Sequence, residues 1–160
     1  MEINMYKYRD TNSVNISLHD CRAEHIQFEH GILSFSFSDG FWILPGHPQN
    51  ESEDCVRTDA SQVDFQIIDE DFDGITIYVF KKNWNGKTIR EEWKLKNFLD
   101  EVNHGRFQVE FIDEYKSYQS RLFTCWLWFD VKPYHYECEI ILCSENTTYC
   151  WDELIYERVW

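Results

Sequence analysis

The chain has 160 residues, 43% of them hydrophobic, with 7 Trp, 9 Tyr and 12 Phe and a formal net charge of −14. That apolar content excludes a disordered chain and suffices for the core of one compact domain, residues 1–160. With 15 Lys and Arg against 29 Asp and Glu, the chain repels phosphate backbones and anionic lipid, so nucleic acid and membrane surfaces are excluded as partners.

The start, Met1-Glu2-Ile3-Asn4-Met5-Tyr6-Lys7, lacks the basic, apolar and small-residue order of a secretory signal. No segment approaches the roughly 20 apolar residues of a membrane span, so a soluble, cytoplasmic protein is expected. From Ala23 the rhythm has period two, which places alternate side chains on opposite faces of a strand. Residues 23–28 form one strand, His30-Gly31 a turn, and residues 32–38 a second strand with Leu33, Phe35 and Phe37 on one face. Asp39-Gly40 is a hairpin signal, returning the chain through 41–44 as the third strand of a meander. That third strand is expected at an edge, either open to pairing with a second copy or covered by the following loop.

Residues 46–59 are polar, contain Pro48 and are read as a surface loop. Val63, Phe65 and Ile67 alternate again, and 75–80 is rich in β-branched and aromatic residues. Asn85-Gly86 marks a second hairpin returning over 88–95. Asn97 is placed to cap a short helix over 98–103, ended by Gly105. Strands are expected at 106–115, 121–131 and 134–143, with Lys132-Pro133 as the last tight connection. Leu122-Phe123-Thr124-Cys125-Trp126-Leu127-Trp128-Phe129 is apolar on both faces and is therefore expected between two covering layers. Residues 149–159 read either as a last strand or as a short terminal helix. The sum is a mainly β (α+β) fold, an antiparallel sheet or sandwich of about eight or nine strands with one short helix. A partly closed β-barrel is the alternative.

The six cysteines (Cys21, Cys55, Cys125, Cys138, Cys143, Cys150) are even in number, but a core this large needs no stapling and reduced, mostly buried thiols are expected. Asp69-x-Asp71-x-Asp73-Gly74 matches the first half of a calcium loop. Its twelfth position, where a closing Glu is required, is Phe80, so a solvated acidic turn is the better reading. His19, Cys21 and His25 are zinc-ligand types, yet Asp20 alternates to the other face and the spacing fits no zinc pattern. Glycine-rich phosphate loops, Gly-x-Ser-x-Gly and Cys-x2-Cys are absent. No catalytic residues, metal or cofactor are assigned, and a non-enzyme is expected, with a metal-dependent hydrolase as the remote alternative.

Most tryptophans are expected in the core, Trp126 and Trp128 included, although these two share one strand face. Trp84 sits at the predicted hairpin tip Lys82-Asn83-Trp84-Asn85-Gly86, where a Trp can anchor a partner. Trp42, following Asp39-Gly40, is a weaker version of the same feature. Candidate binding residues are therefore Trp84, Trp42, the acidic turn Asp69, Asp71 and Asp73, and the acidic loop Glu51, Glu53 and Asp54. Such a surface suits a basic protein partner. A small-ligand or carbohydrate-binding β-domain using Trp and Tyr faces is the alternative, and the oligomeric state is left open.

The stretch Ser17-Leu18-His19-Asp20-Cys21-Arg22, followed by Ile26, Phe28, Leu33, Phe35, Phe37 and Asp39-Gly40-Phe41, resembles the start of small β-rich bacterial proteins grouped with the immunity proteins of polymorphic toxin systems. The likeness covers roughly the first 45 residues and beyond His19-Asp20 is a hydrophobic pattern. It implies an all-β or α+β cytoplasmic domain that neutralises a toxin by binding, without catalysis.

Overall fold

The computed structural model describes residues 5–68 and 74–160, and among them it contains fifteen strands and one helix in three antiparallel sheets. The five-stranded sheet has the order β1 (Tyr8–Asp10), β14 (Ser144–Trp151), β8 (Ser61–Ile67), β5 (Ile32–Phe37), β4 (His25–Glu29). The six-stranded sheet runs β10 (Thr88–Trp93), β9 (Ile75–Lys82), β13 (His135–Leu142), β12 (Ser120–Trp128), β11 (Gln108–Ser117), β3 (Cys21–Ala23). A small sheet of β15 (Leu154–Val159), β7 (Val56–Thr58), β6 (Trp42–Ile43) and β2 (Ile16–Ser17) completes the fold. The mainly β, sandwich-like architecture is the one expected. The sheets do not close into a barrel, and short strands such as β1, β2 and β7 raise the number above eight or nine.

Alternation decides which side chains meet between the two larger sheets. Leu33, Phe35 and Phe37 of β5 and Val63, Phe65 and Ile67 of β8 point into one core with Val109 and Phe111 of β11 and Phe123, Cys125 and Leu127 of β12. At its centre four phenylalanines close a ring of edge-to-face contacts. Phe35 meets Phe65 at 5.8 Å and Phe111 at 5.1 Å, while Phe123 meets Phe65 at 5.5 Å and Phe111 at 5.1 Å. Each pair sets a positive ring edge against a negative ring face, adding roughly 0.5–1.5 kcal/mol to the burial itself.

The path of the chain after Asp39-Gly40 and the expected loop 46–59 are corrected. After Asp39-Gly40 the chain does not return beside β5; β6 pairs β2 and β7 in the small sheet, so it is not an edge strand. Gly40 has φ +74° and a Cβ there would lie 2.2 Å from the Thr58 carbonyl oxygen, so this crossing needs glycine both for its backbone and for its clearance. Within the expected loop 46–59, Val56–Thr58 is a fully buried strand, invisible to periodicity because it has three residues and two are polar. Of the two readings of residues 149–159, strand is the one found: they hold the end of β14 and all of β15.

The helix α1 (Leu95–Asn103) begins earlier than expected, with Lys94 and not Asn97 at its N-cap position and no side-chain cap. Trp93, Leu95 and Leu99 pack against the core around the buried Phe98, and that packing sets the start in place of a cap. Its end lies where expected: Gly105, at φ +74°, donates to the Val102 carbonyl. Asn103 then closes the outer edge of β4. Its Oδ1 accepts from the Ile26 N–H at 2.9 Å and its Nδ2 donates to the Ile26 carbonyl at 2.8 Å, as a neighbouring strand would.

The phenylalanine ring predicts the most damaging single truncation. Phe111→Ala removes two of its four contacts and is expected to cost about 3–5 kcal/mol, against under about 1.5 kcal/mol for Phe111→Leu if the site repacks. Urea unfolding measures both.

Candidate functional site

The strand β12 was expected to be covered on both faces; it is covered on one. Phe123, Cys125 and Leu127 are buried, whereas Thr124, Trp126 and Trp128 alternate outward and are half-buried. Trp126 and Trp128 lie stacked, with ring centroids 6.0 Å apart at 22°, on the outer face of the six-stranded sheet. Placing them in the core is therefore corrected, and the reason is parity. Phe123 must reach the phenylalanine ring, so every second residue after Thr124 faces away from it.

The register shows what surrounds the pair. Trp126 lies opposite Glu137 of β13 and Glu110 of β11, Glu137 opposite Phe80 of β9, and Glu110 opposite Arg22 of β3. One row across the sheet thus reads Arg90, Phe80, Glu137, Trp126, Glu110, Arg22, with Arg90 paired to Phe80. The adjacent row is Glu92, Tyr78, Glu139, Thr124, Asp113. Asp113 keeps this orientation because β11 shifts register between Phe111 and Asp113, an inserted residue that re-aims the strand. The outer face of the five-stranded sheet is different in kind, with Gln27, Ser34, Asp64 and Thr148 in one row and no aromatic residue in its registered rows.

On the aromatic face, cations already sit on rings. The Arg22 guanidinium carbon is 4.7 Å from the Trp128 ring centre and that of Arg90 is 4.4 Å from Tyr78. The Trp128 indole N–H donates to Glu110 Oε2, and Arg22 Nε stands 3.7 Å from that same oxygen. His135 packs 4.4 Å from Trp126 and 5.3 Å from Trp128. Among the described residues, Glu92, Glu137 and Glu139 make no side-chain hydrogen bond or ion pair. Arrays of this composition take up positive, planar or apolar groups.

Of the residues singled out from sequence, Trp84 is at the tip of the β9–β10 hairpin, 96% exposed, beside Gly86 at φ +82°. Trp42 is not an available anchor. Its ring is half-buried between Arg57, 4.8 Å away, and Trp160, 5.5 Å away, and its Nε1 donates to the His19 carbonyl. Glu51, Glu53 and Asp54 are exposed but lie on the loop leading into β7, in the small sheet, and not on the aromatic face. Asp69, Asp71 and Asp73 fall outside the described residues. The signal that could have found the aromatic face is present in the sequence: Thr124, Trp126 and Trp128 recur at every second position of one strand. It is masked by Phe123, Cys125 and Leu127, which alternate with them and make both faces of the segment apolar.

His19, Cys21 and His25 are not brought together. His25 is exposed on the outer face of the five-stranded sheet, while Cys21 is fully buried between the sheets. His19 donates from Nδ1 to the Ile112 carbonyl at 2.7 Å and stacks on Trp160. No three His, Cys, Asp or Glu side chains among the described residues converge as metal ligands. The pair most like a catalytic dyad is His47 and Asp10, 2.6 Å apart. His47 Nδ1 accepts from the Gln49 N–H at 3.1 Å, which leaves Nε2–H to donate to Asp10. The imidazole lone pair is therefore committed to the backbone and has no proton to abstract.

All six cysteines are unpaired, as expected. Burial raises the thiols of Cys125 and Cys138 far above their ordinary value, Cys21 to about 12 and Cys150 to about 11. A thiol held neutral in this way is a poor nucleophile. Comparison with known proteins adds no relative: no family model matches the chain, and no curated protein and no solved structure shows significant similarity to it.

Two measurements check this chemistry. Iodoacetamide at pH 8 is expected to modify only the half-buried Cys55 and Cys143 in the native protein and all six thiols after denaturation. Stability is expected to fall as pH rises above 9. The unfolded chain loses its thiol protons near 9.0, whereas burial holds Cys150 and Cys21 protonated until about 11 and 12. Burial also moves the Tyr149 phenol from 10.0 to about 12. The unfolded state then binds fewer protons than the native one, so the contribution is complete below pH 9 and is lost as pH approaches 12.

Proposed function

We propose that this protein is a non-enzymatic binding protein that engages a basic protein partner, in the manner of an immunity protein neutralising a toxin. The observation that carries the reading is the outer face of the six-stranded sheet. It sets Trp126, Trp128, Tyr78 and Phe80 among the carboxylates of Glu92, Glu110, Asp113, Glu137 and Glu139, with Trp84 exposed at one corner. Aromatic rings supply contact area at little entropic cost, and they recur in binding hot spots. The carboxylates, backed by the net charge of −14, steer a positive surface toward them and reject a negative one.

The stacking of Trp126 on Trp128 favours a second reading, a carbohydrate platform. Arg22 and His135 already lie against those rings, and a flat sugar would have to displace both. The charged partner is the better fit.

The neighbouring gene's product, if basic, is the natural probe. Glu137→Lys with Glu139→Lys is expected to weaken its binding at least about tenfold at low salt, with the loss shrinking as salt screens the face. Glu51→Lys with Glu53→Lys should change it far less. Equal binding by the wild type and the Glu137/Glu139 double variant would place the interface elsewhere.

A further inference from the structure

The pairing of Arg22, Trp128 and Glu110 is incomplete in an informative way. Glu110 is a carboxylate whose side chain is only 13% exposed. One of its oxygens takes the Trp128 indole N–H. Arg22 Nε reaches that oxygen only at 3.7 Å, beyond hydrogen-bond distance. Among the described residues, Oε1 accepts no hydrogen bond at all. Glu110 Oε1 is not among the buried side-chain atoms left without a partner, so it stands open to solvent as a free acceptor beside the Trp128 ring. Arg22, itself 46% exposed at the side chain on the edge strand β3, therefore meets the ring well and the carboxylate poorly.

The geometry points to a guanidinium slot, formed by the Trp128 ring and the Glu110 carboxylate, in which Arg22 is a resident stand-in that an arginine of the basic partner displaces. This rests on the reading of the aromatic face as the partner-binding surface and names the side chain that the surface selects. Guanidinium suits the slot better than ammonium for two reasons. Its plane stacks on an indole face, and its fork can serve both oxygens of one carboxylate. An arginine descending from a partner can approach Glu110 from above the sheet, an angle that a side chain rooted in the sheet plane beside it does not have. Glu137, across the same row on the far side of Trp126, supplies a second carboxylate for the next basic residue.

Displacement makes a prediction that simple charge attraction does not share: removing the resident cation should strengthen binding. An octa-arginine peptide and its octa-lysine counterpart would be titrated at low salt into wild type, Arg22→Gln, Arg90→Gln and Glu110→Gln, with Trp fluorescence and calorimetry as readouts. Arg90→Gln makes the same change of charge on the same face, over Tyr78 and away from the slot. The expected result is a gain of roughly tenfold for octa-arginine with Arg22→Gln, a much smaller gain with Arg90→Gln, and loss of the gain when Glu110→Gln is added to Arg22→Gln. Arg22→Lys, which keeps a cation but no planar group, should fall between wild type and Arg22→Gln, and thermal melts of each variant confirm folding. Equal gains from Arg22→Gln and Arg90→Gln, or an equal gain for octa-lysine, overturn the slot while leaving the surface intact. If neither peptide binds wild type and Glu137→Lys with Glu139→Lys changes nothing for the basic partner, the functional reading fails as a whole.

Discussion

The closed ring of Phe35, Phe65, Phe111 and Phe123 is the contact on which the rest of the structure depends. Two rings come from each of the larger sheets, so the contact is also what joins them. Side chains in a regular strand alternate, so committing Phe111 and Phe123 to this ring commits their neighbours on β12, and on β11 up to the register shift after Phe111, to one face or the other. Cys125 and Leu127 follow Phe123 inward. Glu110, Trp126 and Trp128 have no choice but to face out. The outer surface of the six-stranded sheet is thus a consequence of how the core is locked.

That surface answers the conflict between an aromatic-rich composition and a charge of −14. Leaving outward tryptophans bare would invite association. Instead the outward rings are interleaved with carboxylates and covered by cations, Arg22 on Trp128 and Arg90 on Tyr78. The five-stranded sheet shows the contrast, its outer rows carrying serine, glutamine, threonine and charged side chains without Trp, Tyr or Phe.

The small sheet depends on close approach more than on apolar area. Gly40 lets the chain leave β5 against the backbone of Thr58, and Thr58 Oγ1 in turn accepts from the Phe41 N–H. Arg57, buried beside it, donates from Nε to the Asp39 carbonyl and stacks on Trp42. A buried guanidinium in this position is held by one turn and one ring, which explains why polar residues could form a buried strand.

Much of this was legible in order and type. Alternation at Leu33, Phe35 and Phe37, the Asn85-Gly86 turn with Trp84 at its tip, and the stop at Gly105 are local physics, written in adjacent residues. The amino-acid sequence by itself thus determined a mainly β chain with one short helix. Tertiary structure alone decided that β6 leaves for another sheet, that α1 starts at Leu95 where Trp93 and Leu99 find the core, and that Trp126 and Trp128 face out. An apolar residue carries no mark of which side of a sheet it will take. That assignment comes from the partner across the core, here a phenylalanine ring assembled from residues as far apart as Phe35 and Phe123.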